Sequence, residues 1–326
     1  MAYSAQILRR ARQKLESQKA DRQSQYRERL QAAYIQLPRL RQIDQQLRSS
    51  MALAAQAVFA KGGDAMAAME QVKEANLALQ RERQALIAAN FQPGYLDENP
   101  LCHRCGGAGY VGSTMCTCLQ QLCLQEQKLA IAGLTAGAER FETFRLDYYP
   151  DRVDGKYGAS PRAIMERNLQ ACRRYAQPFQ PGNNLLFVGG TGLGKTFLSA
   201  CIANAVTEQG YSVAYESAAR LFSALEKNRF SPDEGSREAV ASLESCDLLI
   251  IDDLGTELPG SFVTAALYSL VNDRLLSGKS MIVSTNLNID EIARRYSPQI
   301  ASRLQGSFRL LPFVGEDIRV LKNRGL

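Results

Sequence analysis

Gly189-Gly190-Thr191-Gly192-Leu193-Gly194-Lys195-Thr196 fits the pattern G-x-x-x-x-G-K-[ST], and its flanks agree with that reading. Leu185-Leu186-Phe187-Val188 is a short apolar run that predicts a buried strand leading in, and Phe197 to Gln209 predicts an amphipathic helix leading out. Each residue type has a physical reason. The glycines let the backbone turn tightly, so that several N–H groups point at one phosphate chain, and the helix N-terminus adds positive potential there. Lys195 is placed to neutralise β- and γ-phosphate charge, and the Thr196 hydroxyl to ligate Mg²⁺. The expectation is a nucleoside triphosphate site formed by Gly189 through Thr196 and by Phe197, the next residue of the helix.

Downstream, Leu248-Leu249-Ile250-Ile251-Asp252-Asp253 reads as a central strand with two carboxylates at its C-terminal end, where α/β sheets bind ligands. Asp252 is the expected Mg²⁺ holder, and Asp253 the group that orients or deprotonates the attacking water. Ile282-Val283-Ser284-Thr285 is a further buried strand, and Asn286 at its end can reach that water or the γ-phosphate. Two arginines follow: Arg303 on a helix ahead of the last strand, and Arg319 after it. Either could act as an arginine finger, stabilising charge on the transferring phosphoryl group across a subunit boundary. Strands are expected near 184–189, 212–216, 247–252, 280–285 and 308–313, alternating with helices as in a parallel α/β sheet.

Residues 1–100 differ in kind. They contain three glycines, three prolines and no β-rich run, and the first fifty residues carry 11 Lys+Arg against 4 Asp+Glu. Such a basic segment suits nucleic acid or an acidic protein surface. Leu40, Ile43, Leu47, Met51, Ala54 and Val58 fall at helical spacing, Gly62-Gly63 breaks the segment, and Asp64 is the expected cap of a second helix carrying Val72, Leu79 and Leu86. An antiparallel hairpin or short coiled-coil pieces follow, either as a self-contained domain or as a docking module.

Other classes drop out. With His103 the single histidine, Ser-His-Asp catalysis and a multi-histidine metal site are almost excluded. No apolar run approaches the ~18 residues of a membrane span. The first ten residues have no apolar core of a secretory signal, so a cytoplasmic protein without a membrane partner is expected. Five of the eight cysteines lie between Cys102 and Cys123, which in this setting points to metal rather than disulfides. Cys102-x-x-Cys105 and Cys116-x-Cys118 flank a glycine-rich loop and could close a tetrahedral zinc knuckle, with Cys123 and His103 as spare ligands. Cys172, Cys201 and Cys246 fall in α/β patterns and read as core residues.

Gly189 to Thr196, Leu248 to Gly255, Ser284-Thr285-Asn286-Leu287 and Ser302-Arg303-Leu304 together resemble Walker A, Walker B, sensor 1 and the arginine finger of AAA+ ATPases. The chain is similar in particular to the bacterial replicative helicase loaders of the DnaC/DnaI type. Ala218 to Ser245 has room for the extra helix of that clade, and Phe141-Glu142-Thr143-Phe144 resembles the segment that lies against adenine. The resemblance implies an α/β AAA+ core at 141–326 with a five-stranded parallel sheet and no C-terminal lid. Ahead of it come a helicase-docking helical domain at 1–100 and a zinc-binding linker at 101–140. It also implies an ATP-dependent loader that places a hexameric helicase on single-stranded DNA, self-associating with ATP. Asp253 stands where many AAA+ enzymes carry Glu, so slow, switch-like hydrolysis is expected. Lys227-Asn228-Arg229-Phe230 offers the DNA contact, with Phe230 stacking on a base and Lys227 and Arg229 on phosphates; Ser261-Phe262 is a weaker candidate. Two other functions compete: an IstB-type transposition helper, and an adaptor that binds ATP only to fix its shape.

Overall fold

The computed structural model describes residues 3, 5–59, 65–132, 139–155 and 157–323. The Gly62-Gly63 break and the Asp64 cap lie outside the described residues. The chain forms two compact units, Lys14–Cys118 and Met1–Gln13 with Leu119–Leu326.

The first unit is largely helical. Helix α1 (Ala5–Gln36), which supplies residues to both units, gives way to α2 (Pro38–Phe59) at Pro38. Proline opens α2 without loss because the first helical N–H has no intrahelical acceptor. Helix α3 (Ala65–Asn90) returns along α2: Arg39 pairs with Glu82, Asp44 with Arg83 at 2.7 Å, and Ser50 with Asn76 at 2.6 Å. The hairpin is therefore antiparallel. Leu40 and Ile43 of the expected seam are fully buried, and Leu40 packs with Ala33, Leu96 and the half-buried Ile87 and Phe91. Two short antiparallel strands, β1 (Tyr110–Val111) and β2 (Thr114–Met115), then carry the cysteine loop into α4 (Thr117–Ala132).

In the α/β unit, α5 (Pro161–Ala176) leads to β3 (Asn184–Gly189), α6 (Lys195–Glu208) and β4 (Val213–Ser217). After them come α7 (Ala218–Phe230), α8 (Glu234–Ser245), β5 (Leu248–Leu254), α9 (Ser261–Leu276) and β6 (Ser280–Thr285). The chain continues through α10 (Ile289–Arg295), α11 (Pro298–Ser307), β7 (Arg309–Phe313) and α12 (Ile318–Asn323). The five strands pair in the order β4-β5-β6-β3-β7, every pair parallel. A parallel sheet is covered on both faces, so its central strands must be apolar throughout. Alternation divides them between two cores. Leu185, Phe187, Leu248 and Ile250 face one, Leu186, Leu249 and Ile251 the other. Helices α7 and α8 occupy the room expected between 218 and 245, each capped at its start by Ser217 or Asp233.

This sheet positions everything that follows. Because β3, β5 and β6 run in one direction, Gly189, Asp252-Asp253 and Thr285-Asn286 emerge at the same edge. Val188 of β3 lies opposite Thr285 of β6, which sets the phosphate loop beside Asn286.

Candidate nucleotide-binding site

The turn after β3 is possible only with glycine. A Cβ on Gly189 would stand 2.2 Å from the Phe313 carbonyl oxygen. Gly192 has φ +71°, and a Cβ there would meet Asp317 Oδ1 at 1.8 Å. The backbone therefore passes close to Phe313 and Asp317, and Thr191 through Phe197 line one cavity of about 500 Å³. Lys195, Thr196, Asp253, Asn286 and Arg319 all line that cavity. Sequence reasoning named these five from four separate segments, and the fold brings them together.

Lys195 is buried, with Nζ donating to Gly189 O at 2.7 Å, Gly190 O at 2.6 Å and Asn286 Oδ1 at 2.6 Å. Burial lowers its basicity, while the charges of Asp253 and Asp252 oppose that shift. An anionic phosphate chain beside it would favour the ammonium form further.

The two aspartates divide. The β5–β6 register slips between Ile251 and Leu254, a bulge that turns Asp253 into the left-handed region at φ +56°. Asp253 is half-buried on the cavity wall, its carboxyl pushed up by burial and by neighbouring Asp252. Asp252 sits behind it, buried, with Oδ2 accepting from Tyr215 OH at 2.9 Å and Oδ1 accepting from Ser284 Oγ. Ser284 Oγ also accepts the Asp253 N–H at 2.9 Å, so one hydroxyl orients both acids.

Aromatic side chains close the other side. Phe144 stacks on Tyr149 at 5.8 Å and tilts against Phe197 at 5.7 Å, and buried Tyr149 donates to Leu193 O at 2.9 Å. Phe141, by contrast, is a core residue beneath Arg173. The segment after β7 is fastened to the loop by Ile318 N–H donating to Gly192 O at 3.0 Å, which carries Arg319 to the cavity. Arg303 lies elsewhere: its Nη2 donates to Tyr268 OH at 2.9 Å, and its guanidinium lies 4.9 Å from the Tyr268 ring centre. Within one chain it does not line the nucleotide cavity.

Tyr149, Tyr215 and Asp317 were not singled out from sequence. Tyr215 reaches Asp252 through strand pairing rather than a local pattern, since β4 pairs with β5 and Ser217 lies opposite Asp252. Tyr149 and Asp317 offer no local signal.

Of the proposed DNA-contacting residues, Phe230 is 65% exposed, with the Arg229 guanidinium 5.9 Å from its ring centre. Lys227 is engaged by Asp233 at 2.7 Å. Phe230 meets Phe262 at 5.6 Å, so two candidates read separately form one aromatic surface.

Cys102, Cys105, Cys116 and Cys118 place their Sγ atoms within 4.8 Å of one another. The Cys102–Cys116 separation is 3.7 Å and Cys105–Cys118 is 3.4 Å. A tetrahedron with Zn–S of ~2.3 Å has edges of about 3.8 Å, so the donor set fits zinc. The loop is shaped for it: Gly109 N–H points at Cys105 Sγ at 3.3 Å, and Cys116 N–H returns to Gly109 O at 2.8 Å. Cys123 is buried and His103 exposed, and neither joins this group.

Residues 161–302 match the family described as IstB-like ATP binding protein. The chain is 26% identical over 139 residues to the replicative helicase loader DnaC of Escherichia coli (strain K12). That alignment takes in 42% of this chain and 56% of the relative, so the chain spans about half the length of this curated relative. An ATP-binding protein of insertion sequence IS1162 from Pseudomonas fluorescens is 32% identical over 103 residues, 31% of this chain and 43% of the relative. Among solved structures, the crystal structure of the DnaC helicase loader aligns with TM-score 0.45 and 22% identity, covering 54% of this chain and all of that one. No helix among the described residues is long and apolar enough to cross a membrane.

Proposed function

We propose that this protein, built on an IstB-like ATP-binding domain, is an ATP-dependent loader that places a replicative helicase on single-stranded DNA. The observation that carries the nucleotide half is the convergence of Lys195, Thr196, Asp253, Asn286 and Arg319 on one cavity at the C-terminal edge of a parallel sheet. The similarity to DnaC supports the helicase half, with the helical unit as its docking part.

In this reading the amides of 189–196 hold the triphosphate, Lys195 neutralises it, and Phe144 and Tyr149 flank the base. Thr196 and Asp252 would hold Mg²⁺, which when bound draws charge from the phosphates. Asp253 orients the attacking water, and Asn286 reaches that water or the γ-phosphate. Arg319 contacts phosphate within its own chain, while Arg303 is presented to the cavity of a neighbouring copy, so ATP promotes self-association. The shorter reach of Asp253 makes hydrolysis slow, suiting a switch. Four cysteines hold zinc as a staple of the helical unit. Phe230, Arg229 and Phe262 stack on and screen single-stranded DNA, with Lys227 joining once Asp233 releases it.

Co-purification with the host's replicative helicase, with and without ATP, tests the proposal. Capture that requires residues before Phe141 is expected; absence of capture under either condition removes it. The second reading is an IstB-type transposition helper, favoured by the family match over 161–302. It predicts preference for duplex DNA and capture of a transposase instead.

A further inference from the structure

The helical unit contains a cationic groove that nucleotide binding does not use. It lies between α1 and residues 98–106 and has a volume of about 600 Å³. Lys19, Arg22, Arg27 and Arg29 line it, against one carboxylate among the described residues, Glu98. Arg22 and Arg29 are held in place by carbonyl groups rather than by acids. Arg22 Nη1 donates to Asn99 O at 3.2 Å and Pro100 O at 3.3 Å, and Arg29 Nη2 reaches Asp97 O at 3.5 Å. Carbonyl acceptors orient a guanidinium without neutralising it. Arg29 Nε is buried with no hydrogen-bond partner, and the ion pair of Lys19 with Glu16 is a solvated 3.9 Å contact.

We propose that this groove binds the phosphodiester backbone of single-stranded nucleic acid. Lys19 to Arg29 covers ten residues of helix, or about 15 Å, long enough for several consecutive phosphates. Gln23, Gln25 and Tyr26 add neutral polar groups of the kind that hydrogen-bond phosphate and sugar. An acidic protein partner fits less well. The centre of a protein interface is depleted of charge and anchored by apolar side chains, whereas the apolar residues here are Pro100 and Leu101. The site is additional to the Phe230 surface, which belongs to the α/β unit.

Fluorescence anisotropy of labelled oligo(dT) with the full-length protein tests it, using Lys19→Gln combined with Arg27→Gln. Both side chains are on the groove and neither belongs to a buried core. Affinity should fall several-fold, and the slope of log K against log salt should shrink by about 1.4, or ~0.7 for each phosphate no longer neutralised. ATP affinity should stay unchanged, and the weakening should persist in a Phe230→Ala background. Unchanged affinity and slope would overturn the groove while leaving the Phe230 surface standing. Weaker binding with Phe230→Ala and none of it with the paired change would do the same. Polyglutamate that binds wild type but not the paired variant, with oligo(dT) binding untouched, would reassign the groove to an acidic protein and also overturn the proposal.

Discussion

Asp253 and Asp252 are neighbours with different work because the bulge in β5 rotates one toward the cavity and leaves the other under Tyr215 and Ser284. The left-handed φ of Asp253 favours a short polar side chain that can bond to nearby backbone. Asp253→Asn keeps that conformation and should leave nucleotide affinity intact while lowering steady-state turnover about a hundredfold or more. Lys195→Ala removes a charge-assisted interaction and should weaken nucleotide binding about tenfold or more, read by titration calorimetry. At the start of α8, the Asp233 carboxyl is held down to about 2 by the Lys227 ammonium and the Ser236 N–H and hydroxyl. A carboxyl lowered on folding lends stability above its unfolded pKa and loses it as pH falls through the folded one. An NMR pH titration should therefore place its midpoint near 2, with the α8 cap weakening between about 4 and 2; a midpoint near 4 would show the cap is not formed.

Arg274 at the C-terminal end of α9 is 1% exposed and donates to carbonyl groups. Its Nη1 donates to Leu243 O at 2.8 Å and its Nη2 to Cys246 O at 3.1 Å and Ser280 O at 2.6 Å. One guanidinium thus ties the end of α8 to the starts of β5 and β6, the strands that carry the acids and Asn286. Arg274→Met strands these carbonyls and should reduce unfolding free energy on the order of 3 kcal/mol in chemical denaturation. The cysteine loop is a separate element. A strong chelator, or Cys105→Ser, should abolish the unfolding transition of the helical unit and leave ATP binding in place. Coincident loss of both would tie the cysteines to the nucleotide site.

Across the molecule, the division does not follow chain order. Residues 1–13 group with the α/β unit, where Ile7 shares a cavity wall with Ile131 and Leu221, and Arg9 lies 3.7 Å from Glu238. A fragment starting at 139 should keep nucleotide affinity and lose helicase capture. It should also melt lower than the α/β transition of the full chain. It loses α4, with buried Ile131 and the Gln127 bond to Thr207, together with Ile7 of α1, and burying one Ile alone is worth about 1.5–3 kcal/mol. Equal melting temperatures would mean that neither α4 nor the first turns of α1 contribute there.

The phosphate loop, the five strands, the α2–α3 hairpin and the four-cysteine group could be read directly from the chain. Each is written in contiguous residues: a glycine turn between a strand and a helix, an apolar period, or paired cysteines either side of a short loop. Tyr215 on Asp252, Asp317 against Gly192 and Phe230 beside Phe262 could not be, since each joins residues 32 to 125 positions apart in the numbering. Local backbone preferences suffice to specify a motif. Which distant side chains meet at its rim depends on strand order and register, and these are settled by packing two apolar faces at once.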